Sequence, residues 1–361
     1  MIDLRSDTQT KPTPGMREAI ANAEVGDEQK REDPTVNLLE QRAAELLGQE
    51  EAVYLPTATM GNQIALRLLS EPGDEVVAEA TSHVFRYELG GPAVHGGLAM
   101  KALPSANGLL AAADVADAVS PPGDLHMAPT RVLSLENTHN GGGGRVWSPG
   151  DYGDVVREAR RHGLRVHLDG ARLLNAAVSA GVSPAEYGRG ADTVTLCLSK
   201  GLGCPLGAIL ATSAELAPRA RRFKHLFGGA MRQAGVVAAA GLYALDHHVD
   251  RLAEDHANAR VLAEGLAGAG LPVDVAATES NFVLVDVGSI GIDADDAVAR
   301  LRAEGVLLSF AARRGVLRAV THLDVSREDV ERAVPAVTRA LSRRGDPLTE
   351  AASAEPAPTP F

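Results

Sequence analysis

Short apolar runs alternate along this chain with Ala- and Leu-rich segments of helical spacing, and this alternation limits the possible folds more than any other feature. Short continuous apolar runs are typical of parallel strands that are buried on both faces of a sheet. Helical segments between such strands predict βαβ crossovers. The predicted strands are Glu51 to Leu55, Glu75 to Ala78, Arg131 to Leu135, Arg165 to Leu168 and Thr193 to Leu196. The chain is therefore predicted to be an α/β protein with an open sheet, whose strand order the sequence does not reveal.

The spacing of the predicted elements changes in the last third of the chain. One long helix is predicted over Gly241 to His256, and shorter elements follow it. These are the strand Asn281 to Asp286, the helix Ala294 to Glu304, the strand Val316 to Val320 and the helix Arg327 to Ser342. The expected parts are an N-terminal segment (1–14), a large domain (15–249), a smaller C-terminal α+β domain (250–344) and a loose tail rich in Pro, Ala, Thr and Ser (345–361).

Charge and cysteine content exclude several classes of function. The chain has 35 Lys and Arg against 47 Asp and Glu, and its formal net charge of −12 disfavours binding to nucleic acid or to an anionic membrane. Only Cys197 and Cys204 are present, which excludes a disulfide framework, and their spacing is not that of a zinc site. The first residues show no signal-peptide pattern, and no apolar run approaches the roughly 20 residues of a membrane span. We expect a cytoplasmic protein without a resident metal.

Two residues at the ends of neighbouring predicted strands carry the strongest chemical signal. Asp169 ends the strand that begins at Arg165, and Lys200 follows the strand that begins at Thr193. Open α/β sheets bind ligands at the carboxyl ends of their strands. Pyridoxal phosphate needs a lysine that forms a Schiff base with its aldehyde and a carboxylate that keeps its ring nitrogen protonated. Taken singly, Asp169 could cap a helix and Lys200 could be a solvated loop residue, but together they favour a cofactor site.

Two further segments are candidates for holding the phosphate group of that cofactor. The run from Thr57 to Asn62 lies before a helix that is predicted to begin at Gly61, where free N–H groups and the helix dipole favour an anion. In the segment from Phe227 to Gln233, Arg232 offers a second phosphate contact. Each segment also has a simpler interpretation, namely an ordinary capped turn in the first case and a surface charge in the second.

Several longer motifs together resemble the threonine aldolase family, whose members are pyridoxal-phosphate enzymes of the aspartate-aminotransferase fold (fold type I). The matching stretches are DLRSDT from Asp3, EDPTVN from Glu32, TMGNQ from Thr59, LENTHNG from Leu135, HLDGAR from His167, SKGLG from Ser199, GGAMRQAG from Gly228 and THLDVSR from Thr321. The resemblance implies a mostly parallel mixed sheet with a smaller C-terminal α+β domain, and a first segment (1–14) that takes part in the active site.

The resemblance also implies a role for each matching residue. Catalysis would depend on Lys200, which holds the cofactor, Asp169, which faces its ring nitrogen, and the histidines His83 and His126, which lie near the substrate. The implied cofactor-binding residues are Ala58, Thr59, Met60, His83, Asp169, Arg172, Lys200, Lys224 and, from a neighbouring subunit, Arg232. The implied substrate-binding residues are Ser6, His83, His126, Arg172 and Arg318. Because a lone histidine is more often a loop or core residue, the roles of His83 and His126 rest on the resemblance.

Three of the departures from the family pattern concern segments that the resemblance associates with the cofactor or the active site. Ala58 stands where relatives often have Gly. Lys30 and Arg31 stand where many relatives have Tyr-Gly, in a loop near the active site of those relatives. His225 takes the position of a lysine that commonly precedes the GGxMRQ segment, so the sequence leaves open whether His225 or Lys224 reaches the phosphate.

The predicted function is an aldolase that converts L-threonine, L-allo-threonine and related small-molecule β-hydroxy-α-amino acids reversibly into glycine and an aldehyde. One alternative is another fold-type-I reaction, such as β-elimination, racemisation or transamination, which would use the same Lys200 and Asp169. The other is a non-catalytic cofactor-binding homologue. The resemblance further implies a homo-oligomer, either a dimer or a tetramer built as a dimer of dimers. The sequence does not decide between threo and erythro substrates.

Overall fold

The computed structural model describes residues 1–342, so the predicted tail (345–361) lies outside the described residues. In chain order, the strands are β1 (Ile2–Asp3), β2 (Glu51–Leu55), β3 (Glu75–Glu79), β4 (Ala99–Leu103), β5 (Thr130–Glu136), β6 (Arg165–Gly170), β7 (Thr193–Cys197), β8 (Ala208–Thr212), β9 (Phe282–Val285), β10 (Val306–Leu307), β11 (Ser309–Phe310) and β12 (Leu317–Val320). The α-helices are α1 (Pro14–Ala21), α2 (Pro34–Leu47), α3 (Ala58–Leu69), α4 (His83–Arg86), α5 (Gly91–Gly96), α6 (Ala112–Ala118), α7 (Pro149–Arg161), α8 (Leu173–Ala180), α9 (Pro184–Gly188), α10 (Ala217–Leu226), α11 (Gly235–His247), α12 (Leu252–Gly268), α13 (Ala294–Ala303) and α14 (Arg327–Ser342).

Two compact units make up the chain. The larger unit is Thr10–Leu252, and the smaller unit combines Met1–Gln9 with the described residues from Ala253 to Ser342. The larger unit is built on a seven-stranded sheet in the order β2-β8-β7-β6-β5-β3-β4. β8 is antiparallel to both of its neighbours, and the other strand pairs are parallel. This mixed, mostly parallel sheet confirms the predicted fold class, and the five predicted strands occur with ends shifted by no more than two residues.

Local sequence sets the ends of the helices that pack on this sheet. α2 follows Asp33, whose carboxylate accepts the N–H of Val36 (3.0 Å), and it ends at Gly48 in the left-handed conformation (φ +66°). The buried residues of α7 follow the spacing of a single helix face, which is the pattern of a helix packed on a sheet: Tyr152, Val155, Val156 and Ala159. Among the helices of residues 1–342, none is long and apolar enough to cross a bilayer.

The smaller unit contains two short sheets. One is antiparallel, in the order β11-β12-β9, and the other is the parallel pair of β1 and β10. Ile2 pairs with Val306 and Asp3 with Leu307, so the first residues of the chain belong to this unit. Apolar residues of α12, α13 and α14 form its core together with these strands.

The prediction of one long helix over Gly241 to His256 is wrong. The structure has two helices there, α11 and α12, which are separated by residues 248–251. The residues His247 to Asp250 are weak helix formers. In addition, the ring of His248 turns back and donates a hydrogen bond from Nδ1 to the carbonyl oxygen of Leu202 (2.7 Å). Weak local propensity and this tertiary contact together interrupt the helix.

Arg31 has a left-handed backbone conformation (φ +60°) at a position where the family pattern has Gly. We expect Arg31→Gly to raise the free energy of unfolding by about 1 kcal/mol, because this conformation costs an L-residue about 1–2 kcal/mol. The exposed ion pair that would be lost, between Arg31 Nη1 and Glu51 Oε2 at 3.7 Å, contributes little. Denaturant titration measures the change. Arg31→Ala is the control, since it removes the same ion pair but keeps the strained conformation, and equal stability of the two variants would contradict the prediction.

Candidate active site

The carboxyl ends of parallel strands bring three predicted catalytic residues to one edge of the large sheet. Asp169 lies in β6, paired in register with Glu136 at the end of β5. His83 begins α4 shortly after β3, and Lys200 follows β7. Because β7, β6, β5 and β3 are adjacent and parallel, the ends of all four strands lie at the same edge of the sheet. Lys200 is partly buried there.

The carboxylate of Asp169 is buried and held by two donors. Oδ1 accepts the backbone N–H of Ala171 (3.0 Å), and Oδ2 accepts Nδ2 of Asn62 (2.8 Å). The side-chain oxygen Oδ1 of Asn62 lies 3.1 Å from Nε2 of His167, and because an amide oxygen can only accept, Nε2 donates. Nδ1 of the same ring then accepts the hydroxyl proton of Thr193 (2.9 Å). Burial lowers the pKa of His167 to about 4, so the ring is neutral near pH 7. The hydrogen bonds from Thr193 through neutral His167 to Asn62 fix the orientation of the Asn62 amide, and the bond from Asn62 in turn fixes the carboxylate of Asp169.

His83 is surrounded by carboxylates. Its Nδ1 lies 2.9 Å from Oε1 of Glu88, whose side chain is fully buried, and its backbone N–H donates to Oε2 of Glu136 (2.7 Å). Burial by itself lowers the pKa of His83, but the hydrogen bond to Glu88 and the charges of Asp169, Glu88 and Glu136 outweigh it and raise the pKa above its ordinary value. The imidazole is therefore both fixed in place and a stronger base than a free histidine.

Two amide side chains of α3 hold Glu88. Nδ2 of Asn62 donates to Oε1 of Glu88 (2.8 Å) as well as to Asp169, so that one amide group bridges the two carboxylates. Nε2 of Gln63 donates to Oε2 of Glu88. The sequence did not point to Glu88, and it included Asn62 only as the last residue of the candidate phosphate segment, not as a partner of Asp169. The available signal was weak: Asn62 and Gln63 are adjacent polar residues within the apolar pattern of α3, and Glu88 is an acid five positions after His83.

The predicted phosphate-binding residues lie in the first turn of α3. The helix begins at Ala58 rather than at the predicted Gly61, because Thr57 caps it by accepting the N–H of Met60 (3.2 Å). The first N–H groups of a helix have no partner within the helix and attract anions. Ala58, Thr59 and Met60 thus occupy a suitable position, one helical turn before Asn62.

Lys224 and Arg232 each pair with an acidic residue near the start of the larger unit. Lys224 is buried in an ion pair with Glu28. Burial lowers the pKa of Lys224 below its ordinary value, although Glu28 partly offsets this effect. Nη1 of Arg232 lies 3.0 Å from Oδ2 of Asp27, but 62% of the Arg232 side chain is exposed. Of these two cations, Arg232 is therefore the more accessible to a phosphate, and His225 is exposed as well.

Arg172 and His126 lie in different surroundings. Arg172 is buried and directly precedes α8, three residues after Asp169. His126 lies in the loop between α6 and β5, where its residue is exposed and its backbone N–H donates to Oδ1 of Asp124 (2.7 Å). The fold thus builds Arg172 into the edge that carries Asp169, whereas the role of His126 stays a prediction.

Ser6 and Arg318 belong to the smaller unit and lie near each other within it. Arg318, in β12, donates from Nη2 to the carbonyl oxygen of Arg5 (3.2 Å), the residue before Ser6, and from Nε to Oγ of Ser309 (3.3 Å). Its guanidinium carbon lies 5.3 Å from the ring centroid of Phe282, and the residue is only 7% exposed. A guanidinium held in this way is preorganised for a carboxylate, which it can bind through two hydrogen bonds.

The polar groups of the larger unit fit pyridoxal phosphate. The cofactor needs an amine for its aldehyde, a carboxylate for its ring nitrogen and N–H donors for its phosphate. Lys200, Asp169 and the first turn of α3 supply these three groups, and Asn62 links the helix to the carboxylate. The donor set therefore matches the three polar parts of this cofactor.

Known proteins resemble the chain over most of its length. A sequence model of the beta-eliminating lyase family matches residues 3–288. The low specificity L-threonine aldolase of Escherichia coli strain K12 is 43% identical over 338 residues, which cover 91% of this chain and 96% of that one. The low-specificity L-threonine aldolase 1 of Arabidopsis thaliana is 38% identical over 353 residues, or 96% of this chain and 98% of that one. Among solved structures, the threonine aldolase of Leishmania major has the same fold, with a TM-score of 0.82 at 21% identity, covering 94% of this chain and 100% of that chain.

Proposed function

The chain belongs to the threonine aldolase family of beta-eliminating lyases, and from this premise we propose that it cleaves L-threonine, L-allo-threonine and related β-hydroxy-α-amino acids reversibly to glycine and an aldehyde. The observation that carries the proposal is the joint placement of Lys200, Asp169 and the His83–Glu88 pair at one sheet edge. When bound, pyridoxal phosphate supplies an electron sink for the pair left on Cα.

The residues that would hold the cofactor come from separate elements of the larger unit. Lys200 would bind its aldehyde, and Asp169 would balance the charge of its ring nitrogen, with His83 beside the ring and Arg172 near it. The phosphate would be held by the first turn of α3, through Ala58, Thr59 and Met60. Arg232 of a neighbouring subunit would add a charge-assisted contact, which its exposed side chain supports. Lys224 is a weaker candidate, because it is buried against Glu28.

The substrate carboxylate would be bound by Ser6, Arg172 and Arg318. Fixing this group sets which bond at Cα is aligned for cleavage. His83 is the better candidate for accepting the proton of the β-hydroxyl group, directly or through a water molecule, because Glu88 holds its ring and its pKa is raised above the ordinary value by nearby carboxylates despite burial. His126 is the second candidate: it lies on an exposed loop, and the family resemblance implies a position close to the substrate side chain.

A homo-oligomer and a cytoplasmic location complete the proposal. A dimer, or a tetramer built as a dimer of dimers, would allow Arg232 to reach a neighbouring site. Both cysteines of the chain are free thiols buried in the fold, which suits a reducing compartment.

The decisive experiment measures the products formed from the four stereoisomers of threonine by the purified protein with pyridoxal phosphate. Acetaldehyde and glycine in equal amounts support the aldolase. Release of 2-oxobutyrate and ammonia would instead establish β-elimination, which the beta-eliminating lyase family makes the main competing reaction. Visible absorbance that borohydride abolishes tests for the cofactor itself, and its absence would favour a non-catalytic homologue.

Removing either histidine tests the proton transfer. We expect His83→Asn to lower the rate of aldehyde release by about 10²-fold, within the range of about 10²–10⁴ that general acid–base catalysis contributes. His126→Asn is measured in parallel, with His162→Asn as a control at an exposed position outside the site. If both His83→Asn and His126→Asn keep near-normal turnover, neither histidine is the base.

A further inference from the structure

We infer that Glu88 is a positioning residue for His83: its buried carboxylate holds Nδ1–H of the imidazole, so that Nε2 is the nitrogen that takes the hydroxyl proton of the substrate. The inference rests on the proposed aldolase function and deepens it. It adds a residue that neither the sequence motifs nor the resemblance to the aldolases assigned.

The tautomer of His83 follows from the hydrogen bond itself. Oε1 of Glu88 lies 2.9 Å from Nδ1, and a carboxylate oxygen can only accept, so Nδ1 carries a proton. In the neutral ring, Nε2 then has the free lone pair. The hydroxyl proton moves to Nε2, the oxygen electron pair becomes the C=O bond of the aldehyde, and the pair of the Cα–Cβ bond stays with the glycine fragment. The imidazolium that forms is next to the carboxylate of Glu88, which stabilises it.

The surroundings of Glu88 keep its acceptor oxygens aimed in one direction. Its side chain is 0% exposed, Oε1 accepts Asn62 as well as His83, and Oε2 accepts Gln63. Asn62 cannot reverse its amide group without losing the bond from Nε2 of His167 to its oxygen (3.1 Å). Hydrogen bonds from α3, itself held by His167 of β6, therefore fix the position of Glu88, and the hydrogen bond that Nδ1 donates to Glu88 orients the ring of His83.

Within residues 1–342, three acids raise the pKa of His83, and Glu88 is the one that forms a hydrogen bond with its ring. Glu88 contacts Nδ1, Glu136 of β5 accepts the backbone N–H, and Asp169 of β6 acts through space. The ring of Tyr87 lies 5.7 Å from that of His83, centroid to centroid. Removing the charge of Glu88 alone leaves Glu136 and Asp169 in place, so the contribution of Glu88 to the pKa of His83 can be measured separately.

The test compares the unmodified holoenzyme with Glu88→Gln. The oxygen of the new amide can still accept hydrogen bonds from His83 and Asn62. Its NH2 group faces Gln63, whose Oε1 is buried without a partner among the described residues. If the Gln63 amide turns by about 180°, that Oε1 accepts from the new NH2 group. We expect the rate of aldehyde release at pH 8 to fall about tenfold. This is a fraction of the rate enhancement of about 10²–10⁴-fold that general base catalysis typically contributes. Loss of the Glu88 charge lowers the pKa of His83. Because neutral His83 is the active form, the acidic limb of the pH profile of the rate moves to lower pH by about one unit. KM and cofactor absorbance stay unchanged.

A double-mutant cycle separates this role from a purely structural one. In a His83→Asn background, Glu88→Gln should have less than about a twofold further effect, because interacting residues are not additive. An undiminished effect in that background would overturn the inference. Glu40→Gln is the matched control: Glu40 is also buried and accepts two hydrogen bonds from Arg221, so its loss should lower stability without moving the acidic limb.

Nitrogen NMR of histidine-labelled protein provides a readout that needs no turnover. The His83 signals, assigned by comparison with His83→Asn, should show Nδ1 protonated in the neutral ring of the unmodified holoenzyme. A ring protonated on Nε2 instead would overturn the inference, and this measurement decides the point even if Glu88→Gln does not fold. Failure of the unmodified protein to release aldehyde would contradict the proposed function and leave this result on Glu88 standing by itself.

Discussion

Asparagine in place of Asp169 is expected to slow aldehyde release from threonine by about 10²–10³-fold, the loss typical of removing one preorganised electrostatic contact. The neutral amide would no longer balance a protonated ring nitrogen. It would also disturb the hydrogen bonds, because Oδ1 now accepts from Ala171 (3.0 Å) and Oδ2 from Asn62 (2.8 Å). Whichever way the new amide is turned, its NH2 group replaces an acceptor. Product assays at saturating cofactor measure the rate, and the visible spectrum reports cofactor binding separately.

Asp192→Asn is the matched control for this substitution. Asp192 directly precedes β7, at the opposite edge of the same sheet, where it pairs with Arg160 (2.6 Å) and Arg165 (3.0 Å). We expect its replacement to change the rate by less than about twofold, because Asp192 lies at the end of the strands away from Asp169 and Lys200. If the two variants have equal rates, Asp169 does not supply the electrostatic contact assigned to it.

The sequence could predict the features that depend on local pattern and on the geometry of parallel sheets. Buried strands appear as short apolar runs, so their positions were predicted within two residues. Parallel strands end at one edge, so Asp169 and Lys200 could be assigned to the same edge without knowing the strand order. His83 needed the family resemblance as well, because nothing in its local sequence distinguishes it from a loop histidine.

Side-chain pairs between distant segments could not be predicted in this way. The bridge from Asn62 to Glu88 and Asp169 depends on how α3 packs against β6 and against the segment after α4. The ion pair of Lys224 with Glu28 joins residues almost 200 positions apart. Lys224, a predicted phosphate ligand, is therefore buried and already paired with an acid, which makes it a weaker candidate for that role. Such contacts are set by tertiary packing, to which periodicity and spacing along the chain are insensitive.

Alanine in place of Asp33 is expected to lower the free energy of unfolding by about 3–7 kcal/mol. Asp33 is 0% exposed, and its carboxylate accepts three backbone N–H groups, from Val36 (3.0 Å), Gly26 (3.1 Å) and Gly235 (2.8 Å). Loss of the helix cap costs about 1 kcal/mol. Each of the other two N–H groups, left without its acceptor in a buried or partly buried position, costs about 1–3 kcal/mol more. The large effect arises because one side chain joins three separate segments of the larger unit.

Ser148→Ala isolates the contribution of the cap. Ser148 caps α7 by accepting the N–H of Asp151 (3.0 Å), but it is exposed, and within residues 1–342 its side chain bonds to no other segment. Its replacement should therefore cost only about 1 kcal/mol. Denaturant unfolding of both variants at one protein concentration, with m-values compared, gives the two costs on the same scale. If Asp33→Ala costs no more than Ser148→Ala, then the bonds to Gly26 and Gly235 do not stabilise the fold, and the Glu-Asp-Pro-Thr motif is only an ordinary helix start.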